Sequence, residues 1–393
     1  MASTAADRAV LDAASGPLHP VARETLLAAL DAGWADPRRL HHEGRTARRL
    51  LDRAREVLAT GLAVRPDELA FAPDGAAAVR LAVEGGRYAG RRRGARVVAS
   101  AVEHSSVLAP ARHAAAVTGD PNLFAEVPVD RLGRVDLDAW FAAVAVPGTV
   151  VAALQHANGE VGTLQPLDPA ARACHAAGVP LVVDAQASLG RVPPPTSFDV
   201  LAGDARSWGG PGGLGVVVVP GRTRWSLPGP ADPDRALAGP TGHVPWVPLA
   251  LAAAEAWQQT AATREQDAAE ASALVDDLRL AAAAVPDCEV VGDPVHRLPH
   301  VLTLSALYAD GEALVRRLDR LGIAVASGSA CTASTLEPSH VLAAMGALTH
   351  GNIRVTVPLA DVSPDRARDV ARLAAVLPEV VAAVRAELKA ERL

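Results

Sequence analysis

The chain has 393 residues, half of them apolar, which is enough for two domains or one large one with a sizeable core, and it contains no run of eighteen apolar residues that would cross a membrane. Its net charge of −6 gives no general attraction to nucleic acid, and its three cysteines, Cys174, Cys288 and Cys331, are too few and too scattered for a disulfide framework or a metal site. Of the 38 basic side chains every one but Lys389, near the C-terminus, is arginine, whose guanidinium stays protonated and forms no Schiff base, so chemistry that needs an internal lysine has no candidate in the body of the chain.

The N-terminus, Met1-Ala-Ser-Thr-Ala-Ala-Asp-Arg8, lacks the basic region and apolar core of a signal peptide, so the expectation is a soluble cytoplasmic protein. Val10-Leu-Asp-Ala-Ala-Ser-Gly-Pro-Leu-His-Pro20 reads as a short strand ending in a Gly-Pro turn. Helical apolar spacing follows over 20–35, Asp36-Pro37 interrupts it, and a second, arginine-studded helix runs from about Arg45 to Leu62. From about residue 66 to 240, short apolar runs alternate with alanine-rich helical segments. The runs are Glu68-Leu-Ala-Phe-Ala72, Ala95-Arg-Val-Val-Ala-Ser100, Thr149-Val-Val-Ala-Ala-Leu154, Val179-Pro-Leu-Val-Val-Asp184, Asp199-Val-Leu-Ala202 and Leu214-Gly-Val-Val-Val-Val219. Such runs suit strands buried on both faces of a mostly parallel, helix-covered sheet. Ligands of such sheets bind beyond the carboxyl ends of the strands, which draws attention to Asp184.

A Pro- and Gly-dense connection covers 221–247, and a long helix to about Ala284 bridges to the remainder. There, short strands (Val301-Leu-Thr-Leu304, Ile323-Ala-Val-Ala326, Ile353-Arg-Val-Thr-Val357) mix with helices in a smaller α+β unit. It ends in an amphipathic helix from Pro364 to Leu393 with a break expected near Pro378.

One stretch of that unit stands out. In Ile323-Ala-Val-Ala-Ser-Gly-Ser-Ala-Cys331-Thr-Ala-Ser-Thr-Leu-Glu337-Pro338-Ser-His340-Val-Leu-Ala-Ala-Met345, small residues leave nothing bulky over the thiol, and Pro338 leads into a helix. This reads as a loop presenting Cys331; the alternative is a cysteine that is simply a small buried hydrophobe.

The stretch from Ser327 to Leu342 closely resembles the active-site loop of the cysteine desulfurases, pyridoxal-phosphate enzymes of the class V aminotransferase family, in which the loop cysteine takes sulfur from substrate cysteine as a persulfide. The likeness covers nearly the whole chain. Leu11-Asp-Ala-Ala-Ser-Gly-Pro-Leu-His-Pro20 resembles the family's opening strand, and Asp36-Pro-Arg-Arg-Leu-His41 with Gly44-Arg45 resembles the segment after it. Ala101-Val-Glu-His104-Ser-Ser-Val-Leu108 is similar to the segment whose histidine stacks on the cofactor ring, and Val182-Val-Asp184-Ala-Gln186 to the strand end whose aspartate pairs with the pyridine nitrogen. Asn352-Ile-Arg354-Val355 is similar to the segment whose arginine grips the substrate carboxylate. Taken singly, Asp184 also suits a turn cap, His104 a helix cap and Arg354 a salt bridge.

The departures are as specific. Where the family has Ser-Gly-His-Lys, two residues, then Gly-Pro, this chain has Asp204-Ala205-Arg206-Ser207-Trp208-Gly209-Gly210-Pro211, which puts Ser207 at the lysine position, Asp204 where a serine bonds the phosphate and Arg206 in place of histidine. Asp204 repels a phosphate dianion, an effect Arg206 partly offsets. The Gly-Ala-Thr phosphate turn becomes Asp74-Gly75-Ala76. His156-Ala-Asn158-Gly159-Glu160 keeps one asparagine of the family's two, and Ala187 stands for the glutamine three residues after Asp184, with Gln186 and Asn158 as register-shifted substitutes. In Pro240-Thr-Gly-His243, His243 takes the place of the threonine that completes the phosphate cup across the dimer interface.

The resemblance implies a fold-type I aminotransferase-like α/β architecture. Residues 1–15 are expected to pack with the small domain, 16–265 to form the large, mainly parallel α/β domain, and 266–393 the small C-terminal α+β domain carrying Cys331. It also implies a homodimer with a sulfur-acceptor protein or an active desulfurase as partner, and neither membrane nor nucleic acid. Cys331 is the expected catalytic residue and Arg354 and Asn158 the substrate-binding ones. His104, Asp184, Gln186, Arg206, Ser207 and His243 would meet pyridoxal phosphate, held without a covalent bond if held at all; no metal is expected. Three functions stay open: sulfur transfer through a Cys331 persulfide without lysine-dependent catalysis, a non-catalytic scaffold or partner of an active desulfurase, and an enzyme binding its cofactor non-covalently.

Overall fold

The computed structural model describes residues 8–13, 17–33, 35–229, 235–327 and 338–390. The chain begins with β1 (Ala9–Val10), α1 (Pro20–Asp31) and α2 (His42–Gly61), and then alternates through β2 (Leu69–Ala72), α3 (Gly75–Gly90), β3 (Arg96–Ser100), α4 (Ser105–Thr118), β4 (Phe124–Val127), α5 (Leu137–Val144), β5 (Thr149–Ala153), α6 (Leu167–Ala176), β6 (Leu181–Asp184), β7 (Val200–Asp204) and β8 (Gly215–Val218). After the short α7 (Arg235–Ala238) comes the 37-residue α8 (Val247–Ala283). The last part comprises β9 (Cys288–Val291), β10 (Val301–Ala306), α9 (Gly311–Arg320), β11 (Ile323–Ala324), β12 (Ala326–Ser327), α10 (His340–Met345), β13 (Asn352–Thr356) and α11 (Arg366–Ala390).

Seven strands form one sheet in the order β2-β8-β7-β6-β5-β3-β4, parallel except that β8 runs antiparallel to both its neighbours. Every residue of β2, β5, β6, β7 and β8 is buried, as continuous apolar strands covered on both faces must be. The sequence reading missed β4, an edge strand of only four residues whose Phe124, Ala125 and Glu126 stay partly or wholly open to solvent, so no buried apolar run marks it.

The second sheet, β12-β13-β10-β9, is antiparallel, and β1 pairs in parallel with β11 beside it. Ala9 and Leu11 lie in this second core with Leu302, Leu304, Ile353 and Val355. Helix α8 serves both cores: Val247, Ala253 and Trp257 pack in the first, Val275, Leu278 and Ala282 in the second. The break expected at Pro378 does not occur, and α11 continues through it. Leu373, Leu377, Val380, Val381 and Val384 form one buried stripe against the second core, and that packing holds the helix across the missing N–H. Among the described residues no helix is long and apolar enough to cross a membrane.

Candidate active site

The C-terminal ends of β3, β5, β6 and β7 open into a cavity of about 460 Å³, which β13 and the turn before α10 also line. It therefore sits where a parallel sheet delivers side chains beyond its strand ends. Seven of the nine expected site residues reach it: His104, Asn158, Asp184, Gln186, Arg206, Ser207 and Arg354. His243 does not line the cavity within this chain, and Cys331 lies outside the described residues.

His104 follows β3 and caps α4, its Nδ1 accepting from the Ser106 N–H at 3.1 Å. The ring thus fills the helix-capping role while facing the cavity. Asp184 closes β6, and both its oxygens are taken by one neighbour: Gln186 N–H donates to Oδ1 and Gln186 Nε2 donates to Oδ2, each at 2.9 Å. Burial raises the Asp184 carboxyl, and Asp204 nearby pushes the same way against the Gln186 bonds and His104.

At the end of β7 the substitutions act together. Asp204 Oδ2 accepts from the Gly75 N–H at 2.8 Å, 129 residues away, at the first residue of α3. Arg206 turns back in a fork, its Nε on Asp204 Oδ1 at 2.9 Å and its Nη2 on Oδ2 at 3.0 Å. Asp74 caps the same helix, Oδ1 accepting from Ala77 N–H at 2.7 Å. A carboxylate at a partly buried helix N-terminus is worth up to about 2 kcal/mol. Ser207 points its hydroxyl at the Asp204 carbonyl, 2.9 Å away, and its own carbonyl accepts from Arg191 Nε at 2.8 Å.

Asn158 shapes the wall from within: its Oδ1 accepts from the Glu160 and Val161 N–H groups at 2.8 Å and its Nδ2 donates to the Val102 carbonyl at 3.1 Å. Arg354 makes no ion pair among the described residues; Nη1 reaches the Gly159 carbonyl at 3.5 Å and Nε has no partner there. Sequence reasoning passed over Glu103, Glu160, Arg191 and His300, which also line the cavity. Burial pushes Glu103 well up, Glu160 up to about 7, Arg191 down to about 10 and His300 well down. The only sequence signal was position, Glu103 beside His104 and Glu160 two residues after Asn158.

A mainly parallel sheet with a helix-bridged second unit, and a cavity at the strand ends containing an aspartate, a capping histidine and an arginine, define the fold-type I aminotransferase architecture. A NifS-like protein of known structure superposes with a TM-score of 0.82 at 21% identity, over 94% of this chain and 99% of that one. DndA from Streptomyces lividans superposes with a TM-score of 0.72 at 27% identity, over 88% of this chain and 98% of its own. A cysteine desulfurase from Cereibacter sphaeroides is 32% identical over 387 residues, 94% of each chain. The class-V aminotransferase pattern matches residues 11–362, and the chain belongs to that family, among the cysteine desulfurases.

The family is pyridoxal-phosphate dependent, and the residues at the end of β7 do not fit the phosphate of that group. The helix end that would receive its phosphate is bonded to Asp204, and Gln186 Oε1 and Asp204 Cβ crowd it, lying 2.4 Å and 2.6 Å from where a Cβ on Gly75 would stand. Ser207 offers a hydroxyl that is already engaged.

Proposed function

We propose that this protein is a sulfur-transfer member of the cysteine desulfurase family that works without lysine-dependent cofactor chemistry, Cys331 accepting a sulfur atom and handing it on. The observation that carries this reading is Ser207, which stands at the family's lysine position, hydrogen-bonded to the Asp204 carbonyl, in a chain whose one lysine is Lys389. The placement of the flanks supports the role of Cys331. Ala326 of β12 pairs with Arg354 of the cavity wall, and Pro338 lines the same cavity, so described residues on either side of the Cys331 stretch stand at the cavity.

The chemistry asks little of the chain. The Cys331 thiolate attacks the outer sulfur of a donor persulfide, the donor's S–S bond breaks, the donor departs as a thiolate, and Cys331 becomes the persulfide; no oxidant is consumed. The donor is an active cysteine desulfurase and the recipient a sulfur-acceptor protein. The protein works in the cytoplasm as a homodimer, with His243 facing the partner's cavity. Its domains divide at residues 15 and 265.

The test is to mix the purified protein with an active cysteine desulfurase and cysteine, then map sulfur by mass spectrometry. A persulfide on Cys331, lost in Cys331→Ser, is the expected result. Persulfide on the donor alone overturns the relay and leaves a non-catalytic scaffold.

A further inference from the structure

The first turn of an α-helix presents unpaired N–H groups and a partial positive charge, which makes it a natural seat for an anion. Here the chain supplies the anion itself. We propose that Asp204 is a resident substitute for a ligand phosphate, closing this end of the cavity to phosphorylated molecules, so that the cavity takes small ligands carrying no phosphate.

Three features converge on it. Asp204 holds the Gly75 N–H at 2.8 Å, and the side chains of Asp204 and Gln186 cover the helix end so closely that even a methyl group on Gly75 would collide with both. Arg206, which could have served an incoming phosphate, forks onto Asp204 instead. Asp74 adds a second carboxylate at the same helix end, so two negative charges face one guanidinium and a dianion is repelled.

The remainder of the cavity is not sealed in this way. Glu103 Oε2, Glu160 Oε1, His300 Nδ1 and Arg354 Nε are buried without hydrogen-bond partners among the described residues, and all four residues line it. Buried polar atoms are normally paired, so a cluster of orphans on one cavity marks the surface a ligand would satisfy. That ligand needs donors and acceptors of its own but no phosphate.

The experiment titrates the full-length protein with inorganic phosphate, pyridoxal phosphate and pyridoxal, the same ring without the phosphate, by calorimetry. Wild type is expected to bind no phosphate and to bind pyridoxal phosphate no more tightly than pyridoxal. Asp204→Ser frees the Gly75 N–H and Arg206 together, and should favour pyridoxal phosphate over pyridoxal by about tenfold or more. Inorganic phosphate binding should appear with it, and both gains should vanish in Asp204→Ser combined with Arg206→Leu. Circular dichroism confirms folding; if Asp204→Ser does not fold, Asp204→Ala removes the same carboxylate from the Gly75 N–H and from Arg206 and should show the same rise in preference. A wild-type preference for pyridoxal phosphate of about tenfold, or a folded variant whose preference stays at the wild-type value, overturns the proposal. Because the readout is binding alone, this outcome is independent of whether Cys331 accepts sulfur.

Discussion

Asp267, midway along α8, and Arg366, at the start of α11, form a buried ion pair with Arg366 Nη1 2.6 Å from Asp267 Oδ1. The pair ties the bridging helix to the last helix. Asp267 Oδ1 also accepts from the Ala360 N–H, and Arg366 also holds the Pro358 carbonyl and Glu270. Removing one member of such a pair leaves the other charge buried and uncompensated, so Arg366→Leu should cost about 3–5 kcal/mol in urea unfolding. Asp267→Asn should cost less, because Glu270 still holds the guanidinium. Equal and negligible losses in both variants would show that the pair does not join the two helices energetically.

Stability should depend on pH through two buried groups with opposite signs. Burial raises Glu160 from 4.5 to about 7, so the folded state keeps a proton the unfolded chain releases; that contribution is full below pH 4.5 and lost as pH rises to about 7. Burial lowers His156 from 6.5 to about 4, so the unfolded chain takes up a proton first; that contribution is full above pH 6.5 and lost as pH falls toward 4. Between pH 4.5 and 6.5 the two oppose each other. Relative to wild type, the slope of stability against pH across that window should therefore become more positive in Glu160→Gln and more negative in His156→Gln, each by up to about 1.4 kcal/mol per pH unit. Urea midpoints measured across the window check this, and slope changes of the reverse sign would refute it.

The cysteines should differ in reactivity. Cys174 is buried in α6, its thiol pushed up to about 12 by burial with Asp199 adding to the effect, so it should resist alkylation until the protein unfolds. Cys288 opens β9 and is raised as well, by burial first, with Arg385 opposing and Asp287 adding least. Native alkylation at pH 8 followed by peptide mapping should label Cys331 first and Cys174 last. Labelling of Cys174 at the rate of Cys331 would remove the basis for a reactive loop thiol.

Borohydride reduction of protein purified from cells should fix no cofactor to any residue of the body of the chain, since its one lysine is Lys389. Ser207→Lys alone should not produce cysteine desulfurase activity, because Asp204 still occupies the end of α3. Turnover in that single variant, followed as sulfide release from cysteine, would show that the phosphate seat is not closed.

Much of this protein was legible in its sequence. Short apolar runs ending in Ser100, Leu154, Asp184 and Ala202 announced parallel strands, because strands buried on both faces must be apolar throughout, and their carboxyl ends did converge on one cavity. The single lysine and the run Asp204-Ala205-Arg206-Ser207 were equally plain, since they are matters of residue identity. What the tertiary structure alone decided is how those residues pair. Arg206, expected to soften the repulsion of a phosphate, is instead held by Asp204, and Asp204 reaches a helix 129 residues earlier in the chain. Gln186 bends back onto Asp184, and α11 passes through Pro378 unbroken. Each depends on which groups, distant in sequence, come within hydrogen-bond or packing distance, and on the burial that raises Glu103 and Glu160 and lowers His156 and His300; burial belongs to the folded whole, because desolvation is set by everything that surrounds a group.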